Sequence, residues 1–366
     1  MQFRNATAAK AGWTLGFERD GRELLVVAVK GTYNIPQGGA EPALADEQAA
    51  LTLADEFTGE PGMSAPLRET DFAHRKPFCD VLLNGTAYAP RGGTVETLKV
   101  GLRVGSLVKT FEVTGNRTWR GGVVRVTPSG PEPFTAMPIS YDNAFGGTDR
   151  SAADAGKTVT FERNPVGRGF AADKQTLVRM LVPNTQETGR PVNDPSGAYA
   201  PMAFGPVGRN WLPRRRYAGT YDATWLETSS PFWPDDFDYR YFQSAAEDQQ
   251  IAYLAGGEPI VIQNLTPDGI RSFMVPSVTM PVMFIPKRGT DEIVDAVIDT
   301  LLIEPDHDRF SVTWRASHPL KRDFFELRET IVGEMPQAWH RTRRTAHKRH
   351  YAGLGALIAA KRGLKQ

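Results

Sequence analysis

A mainly β fold is what this sequence predicts: antiparallel sheets in a β-sandwich or barrel-like arrangement, a long loop-rich middle segment, few short helices and a C-terminal basic helix. Three observations lead there. Glycine (35) and proline (27) make up about 17% of the 366 residues, against roughly 12% in average globular chains, so turns are frequent. Turn dipeptides fall between β-branched runs, as hairpins require. No helix-period stripe of useful length crosses the first 130 residues.

Taken in order, Trp13–Phe17 and Leu24–Tyr33 flank Asp20-Gly21, a dipeptide that favours positive φ and closes a tight hairpin. Phe78–Tyr88 reads as one strand, with Val81, Leu83 and Thr86 alternating along it. Val95–Thr114 is β-branched throughout and reads as two strands bent near Gly105-Ser106, and Arg117–Val126 continues past Trp119 to a Gly121-Gly122 break. From Pro128 to about Pro234, Pro, Gly, Asn and Asp interrupt every periodicity, yet the segment is rich in Trp, Tyr and Phe, which disordered linkers avoid. It reads as an ordered, loop-rich layer, in which Pro165-Val-Gly-Arg168 recurs as Pro206-Val-Gly-Arg209. A helix is expected after Asp235, capped by Asp235 or Asp236. Strands then return: Pro259–Leu265 and Ile270–Val275 bracket Pro267-Asp268-Gly269, and Val297–Ile303 and Phe310–Arg315 bracket the loop at Pro305–Asp308. Tyr351–Lys361, rich in Ala, Leu and Lys, reads as a helix.

These elements group into an N-terminal antiparallel β region (1–130), an aromatic loop-rich segment with C-terminal hairpins packed on it (131–335), and a basic helical tail (336–366). With 40% apolar and 23% charged residues the chain has the composition of an ordinary globular protein. One cysteine, Cys79, excludes an intramolecular disulfide framework and a cysteine-only zinc cluster. Apolar runs such as Leu24–Val29 are far shorter than the ~20 residues of a membrane span. No basic stretch followed by an apolar run opens the sequence, so the expected compartment is cytoplasmic and the Asn-x-Thr sequons at Asn5, Asn84, Asn116 and Asn264 read as chance.

The net charge of +1 is a cancellation. Up to residue 335 the chain carries 35 Lys+Arg against 42 Asp+Glu, while residues 336–366 carry eight bases and no acid. Among the tail bases are Arg341, Arg343, Arg344, Lys348 and Arg349, which could meet an acidic protein, an anionic lipid surface or nucleic acid, or could simply be solvated. An acidic protein partner is preferred, since only Trp339 and Tyr351 are at hand to stack on bases.

Catalytic signatures are missing: no phosphate loop, no His-Glu-x-x-His zinc helix and no Gly-x-Ser-x-Gly elbow occurs. Cys79 lies in an expected strand and reads as a buried small apolar side chain. Asp235, Asp236 and Asp238, followed by Glu247 and Asp248, could serve as acid and base or bind a hard cation, but helix capping is the better reading without a calcium-loop spacing. Asp306-His307-Asp308 reads as a solvated turn. No cofactor, metal or catalytic residue is assigned.

From Trp211 to Gln250 the sequence becomes specific. Trp211-Leu-Pro-Arg-Arg-Arg-Tyr-Ala-Gly219-Thr-Tyr221-Asp222-Ala-Thr-Trp225 leads into Pro231-Phe-Trp-Pro-Asp235-Asp-Phe-Asp238-Tyr-Arg240-Tyr-Phe242 and Ala245-Ala-Glu-Asp-Gln249. With Cys79-Asp80-Val81, Gly85-Thr-Ala87, Val108-Lys109, Gly115-Asn-Arg-Thr-Trp119, Met137-Pro-Ile-Ser-Tyr141, Ala144-Phe-Gly-Gly147, Asn164-Pro-Val-Gly-Arg-Gly-Phe170, Gly256-Gly-Glu258 and Asn264-Leu265, this resembles domain of unknown function twenty-one sixty-nine, a family encoded beside the spike genes of bacterial type VI secretion systems. The resemblance extends to about Arg328; the usual acidic residue of the Gly-Asp-Arg-x-Trp block is Asn116 here, which still suits a turn. It implies an accessory or adaptor protein, not an enzyme, that helps an effector or a PAAR-type spike-tip protein reach the VgrG spike. Aromatics interleaved with arginine have the composition of interface hot spots. The candidate partner-binding residues are therefore Trp211, Arg214, Arg215, Arg216, Tyr221, Asp222, Trp233, Asp236, Asp238, Arg240 and Tyr241, although packing is the commoner fate of aromatics. Two other readings stay open: a hydrolase using Asp236, Asp238 and a histidine, and a carbohydrate-binding β-sandwich with an exposed row of tryptophans.

Overall fold

The computed structural model describes residues 1–38, 40–121, 125–150, 158–344 and 353–361. It is mainly β, with several antiparallel sheets and short helices, and no sheet closes into a barrel among the described residues. A six-stranded sheet runs in the order Gln250–Ile251, Cys79–Leu83, Val297–Glu304, Arg309–Pro319, Glu23–Asn34 and Lys10–Phe17. Five strands form a second sheet: Thr185–Gln186, Leu107–Thr114, Thr97–Val104, Pro259–Gln263 and Ile270–Met274. Gln2–Asn5, Leu327–Val332, Pro281–Pro286 and Glu292–Asp295 make a third. Strands from before residue 130 and after 249 share each of them.

The expected hairpins form where turn chemistry placed them. Lys10–Phe17 pairs with Glu23–Asn34 around Gly21 (φ 80°), and Thr97–Val104 with Leu107–Thr114 around Gly105 (φ 56°). Pro259–Gln263 pairs with Ile270–Met274 around Gly269 (φ 89°). Glycine takes such angles without steric penalty.

Two expectations are corrected. Phe78–Tyr88 is not one strand: Cys79–Leu83 pairs in parallel with Val297–Glu304, whereas Gly85–Tyr88 pairs with Ala136–Ile139 in a separate ribbon. At Gly85 the chain passes so close to the Pro305 ring that a Cβ would lie 3.2 Å from it. The helix after Asp235 is replaced by two single 3₁₀ turns, Tyr239–Phe242 and Glu247–Gln249. Between them Gln243, Ser244 and Ala245 are extended toward the sheet, because the buried Asp80 captures their hydrogen-bond donors. The tail contains the helices Gln337–Arg344 and Leu354–Lys361; Trp339 packs the first against Ile285 and Ile331.

One face of the six-stranded sheet is apolar. Leu25, Val27, Val29, Leu301, Ile303, Phe310, Val312 and Trp314 meet Val100, Leu102, Phe111, Ile260 and Phe273 of the second sheet in one core. Phe273 and Phe310 touch across it, with ring centroids 5.1 Å apart. The opposite face of the same strands carries Lys30, Asp80, Asp299, Thr313 and Arg315, all buried. A buried charge has to be paired and hydrogen-bonded. Lys30 Nζ lies 2.6 Å from Asp71 Oδ2, which also accepts from Thr52 N at 2.7 Å, and Arg315 joins Asp299 to the carbonyls of Asp71 and Ala73. Segment 45–76 is thereby strapped over the sheet.

Candidate binding groove

The 201–253 layer is fixed to this scaffold at two polar anchors. At the first, the fully buried Asp80 carboxylate accepts from Lys76 Nζ (2.7 Å), Gln243 Nε2 (2.6 Å), Ser244 N (2.8 Å), Ser244 Oγ (3.0 Å) and Ala245 N (3.1 Å). Burial pushes this carboxyl up, but the Lys76 charge and the donated hydrogen bonds outweigh it and hold it below the usual range. The second is Arg214 at the end of the short helix Leu212–Arg215: it pairs with Glu69 and donates to the carbonyls of Val207 (2.7 Å) and Tyr241 (2.8 Å). Arg209 completes that cluster with Asp55 (2.8 Å) and Glu69 (3.1 Å).

Two adjoining hollows are walled in part by this layer. The first, about 490 Å³, is walled by Met202, Leu212, Lys109, Tyr141, Arg163 and Asp248, and the second, about 680 Å³, by Phe78, Tyr217, Asp236, Asp238 and Arg240. Arg216 and Glu247 line both, joined as an ion pair. Lys109 Nζ reaches Asp248 Oδ1 (2.9 Å) and Gln249 Oε1 (2.8 Å), and the Gln249 amide donates to the Val81 and Phe204 carbonyls. Burial lowers the Lys109 pKa, with Asp248 opposing.

Beside the second hollow, residues 220–236 form a compact loop with tied ends. Asp236 accepts from Thr220 N (2.9 Å) and Thr220 Oγ1 (2.8 Å), and Trp225 Nε1 donates to Phe232 O (2.8 Å). Asp222 caps the helix Ala223–Thr228 by accepting from Trp225 N. This loop leaves Tyr221, Leu226 and Phe232 exposed, at 55%, 65% and 42%.

The expected site residues therefore separate. Arg216, Asp236, Asp238 and Arg240 meet around the second hollow, where Arg240 stacks over the Tyr217 ring at 4.3 Å. Asp238 caps the 3₁₀ turn at Arg240 N, and hydrogen bonds hold Asp236 and Asp238 below the usual carboxylate range: from Thr220 on the first, and from Arg240, against burial, on the second. Trp211 and Arg214 are buried, and Arg215 points outward to Glu162. Tyr221 and Asp222 belong to the loop. Trp233 and Tyr241 are half-buried around Phe237 and Phe242. The seven tryptophans form no exposed row: Trp119, Trp211, Trp314 and Trp339 are buried, Trp225 and Trp233 are half-buried, and Trp13 alone is exposed. In the tail, Arg341 bonds Gln337 on its own helix; the side chains of Arg343 and Arg344, and all of Lys348 and Arg349, lie outside the described residues.

His74 sits among this aromatic cluster, 5.1 Å from the Trp233 and Phe242 rings, with Nδ1 unbonded. Burial pushes its pKa down; Arg315 adds to this and Glu18 opposes it. Between that lowered value and the ordinary ~6.5, the unfolded chain binds a proton that the folded one does not, so stability falls as pH drops below about 6.5. Melting temperatures at pH 7.5 and 5.5 should differ in the wild type, and His74→Leu should flatten that difference.

Sequence reasoning missed Lys109, Tyr141, Arg163 and Tyr217 as groove residues. One signal was available: in Leu107–Thr114 the inward positions are Leu107, Lys109, Phe111 and Val113, so a lysine occupies a core-facing place in a period-2 strand.

Fold and groove together define a mainly β protein whose long middle segment is folded as a layer over packed sheets. Within that class the chain belongs to the family described as "Uncharacterized protein conserved in bacteria (DUF2169)", whose model matches residues 20–315. Comparison with curated proteins and with solved structures returns no match.

Proposed function

We propose that this protein is a type VI secretion accessory protein: a non-catalytic cytoplasmic adaptor that holds an effector or a PAAR-type spike-tip protein and assists its loading onto VgrG. The observation that carries this reading is the 220–236 loop, which keeps Tyr221, Leu226 and Phe232 in solvent although its ends and its tryptophan are tied down. Apolar side chains on an ordered loop meet a partner with little further loss of conformational freedom. Covering Leu226 and Phe232, 65% and 42% exposed, would contribute about 1–2 and about 1 kcal/mol. The lowered carboxyls of Asp236 and Asp238 also suit fixed anions better than groups that exchange protons near neutrality. The resemblance of the 211–250 block to proteins encoded beside spike genes supplies the secretion context.

The test is co-expression with the effector or spike-tip protein encoded beside this gene, followed by affinity capture in mild salt. A stable complex is expected, weakened at least tenfold by Leu226→Asp with Phe232→Asp while the melting temperature holds. No complex with either protein defeats the adaptor reading. Binding unchanged by the double variant removes the loop from the interface.

A further inference from the structure

Resting on that adaptor reading, we infer that the 490 Å³ hollow receives the C-terminal carboxylate of a partner polypeptide whose last side chain is apolar. Tyr141 is 4% exposed, and its hydroxyl makes no hydrogen bond among the described residues. Tyr141 lines this hollow together with Arg163 and Asp248. The hydroxyl keeps contact with solvent, so an entering ligand oxygen would replace water as its acceptor.

Charge selects the ligand's sign. Lys109 is committed to Asp248, and Arg216 to Glu247. Arg163 is exposed at the wall and makes no ion pair or hydrogen bond among the described residues. Its neighbour Glu162 is already taken by Arg215. One cation is left over, beside a phenol that burial keeps protonated. A carboxylate can accept from both.

The remaining wall is apolar, with Met202, Val207, Leu212 and Pro213 placed to cover an aliphatic or aromatic side chain. A hollow of this size lies within the ~300–1,000 Å³ range of ligand pockets and has room for a terminal carboxylate together with its side chain. The two recognition groups are held in register by Asn164, next to Arg163 in sequence. Its buried Nδ2 donates to Tyr141 O (2.8 Å) and Phe145 O (3.1 Å). Gly146 and Gly167 make room for it: a Cβ at either would lie 2.2 Å from Asn164 O and 2.4 Å from Asn164 Nδ2, respectively.

The test uses the full chain and a dye-labelled pentapeptide, Gly-Ser-Gly-Leu-Leu, as free acid and as amide, with octanoate as competitor. The acid is expected to bind at least tenfold tighter than the amide. Tyr141→Phe and Arg163→Gln should each weaken the acid about three- to tenfold and narrow the gap between acid and amide, while the melting temperature stays unchanged. Equal binding of acid and amide, or variants that bind the acid as the wild type does, overturns the assignment. Octanoate displacing the peptide at equal concentration would assign the hollow to small carboxylates and overturn the peptide source. An intact partner complex with no acid preference rejects this pocket alone; acid preference with no partner complex rejects the adaptor alone.

Discussion

Asp80→Ala should destabilise the protein by about 3–5 kcal/mol, read as a lower urea midpoint. The replaced carboxylate is fully buried and serves five donors; its removal leaves the buried Lys76 ammonium without its counter-charge, with Thr300 Oγ1 as its remaining acceptor, and the Ser244 and Ala245 amides without theirs. Asp80→Asn keeps the shape but loses the charge, and should fall between wild type and alanine. Because burial of Asp80 is outweighed by Lys76 and the donated hydrogen bonds, its folded pKa lies below the unfolded ~3.9. Its contribution is therefore complete above that unfolded value and is lost as pH falls through the folded one. Hydrogen exchange at residues 243–249 should quicken in the alanine variant, since this carboxylate fixes that segment to the sheet. A loss under about 1 kcal/mol would show that the anchor is dispensable, against the ~3–5 kcal/mol normal for breaking a buried pair.

Arg214→Ala is the second large effect, about 3 kcal/mol, toward the low end of that range because Glu69 keeps Arg209 as a partner. Two carbonyls, of Val207 and Tyr241, also lose their donor. Arg214→Lys should recover little, since an ammonium cannot form the guanidinium's fork to Glu69 and the carbonyls together. Partner binding per folded molecule should be unchanged, which separates Arg214 from the groove residue Arg216. Arg215→Ala, two exposed charges' worth of interaction, should shift stability by no more than ~1 kcal/mol.

The contrast among these three consecutive arginines shows what sequence reading could reach. Hairpins were legible because their cause is local: Asp20-Gly21 and Asp268-Gly269 specify a turn through their own backbone preferences. Arg214 looks like its neighbours until Glu69, 145 residues away, is brought to it. The 3₁₀ turns after Asp238 were read as one helix for the same reason, since Asp80 outcompetes local helix hydrogen bonds from 163 to 165 positions away. Of the groove, the aromatic and charged composition was legible, and so were Arg216, Asp236, Asp238 and Arg240. Tyr141 and Arg163 were not, because an unbonded hydroxyl and a leftover cation are defined by what surrounds them in space.

The pairing of Glu23–Asn34 with Arg309–Pro319 along eleven residue pairs bears on how the protein is made. At ~5–20 residues per second, a ribosome needs on the order of 15–55 s between finishing the first strand and starting the second. Throughout that interval Glu23–Asn34 is paired with Lys10–Phe17 along one edge only, and the strand that covers its other edge has not been synthesised. Closure of the six-stranded sheet therefore waits for Arg309–Pro319, and nascent chains truncated before residue 297 lack both strands that join Cys79–Leu83 to that hairpin.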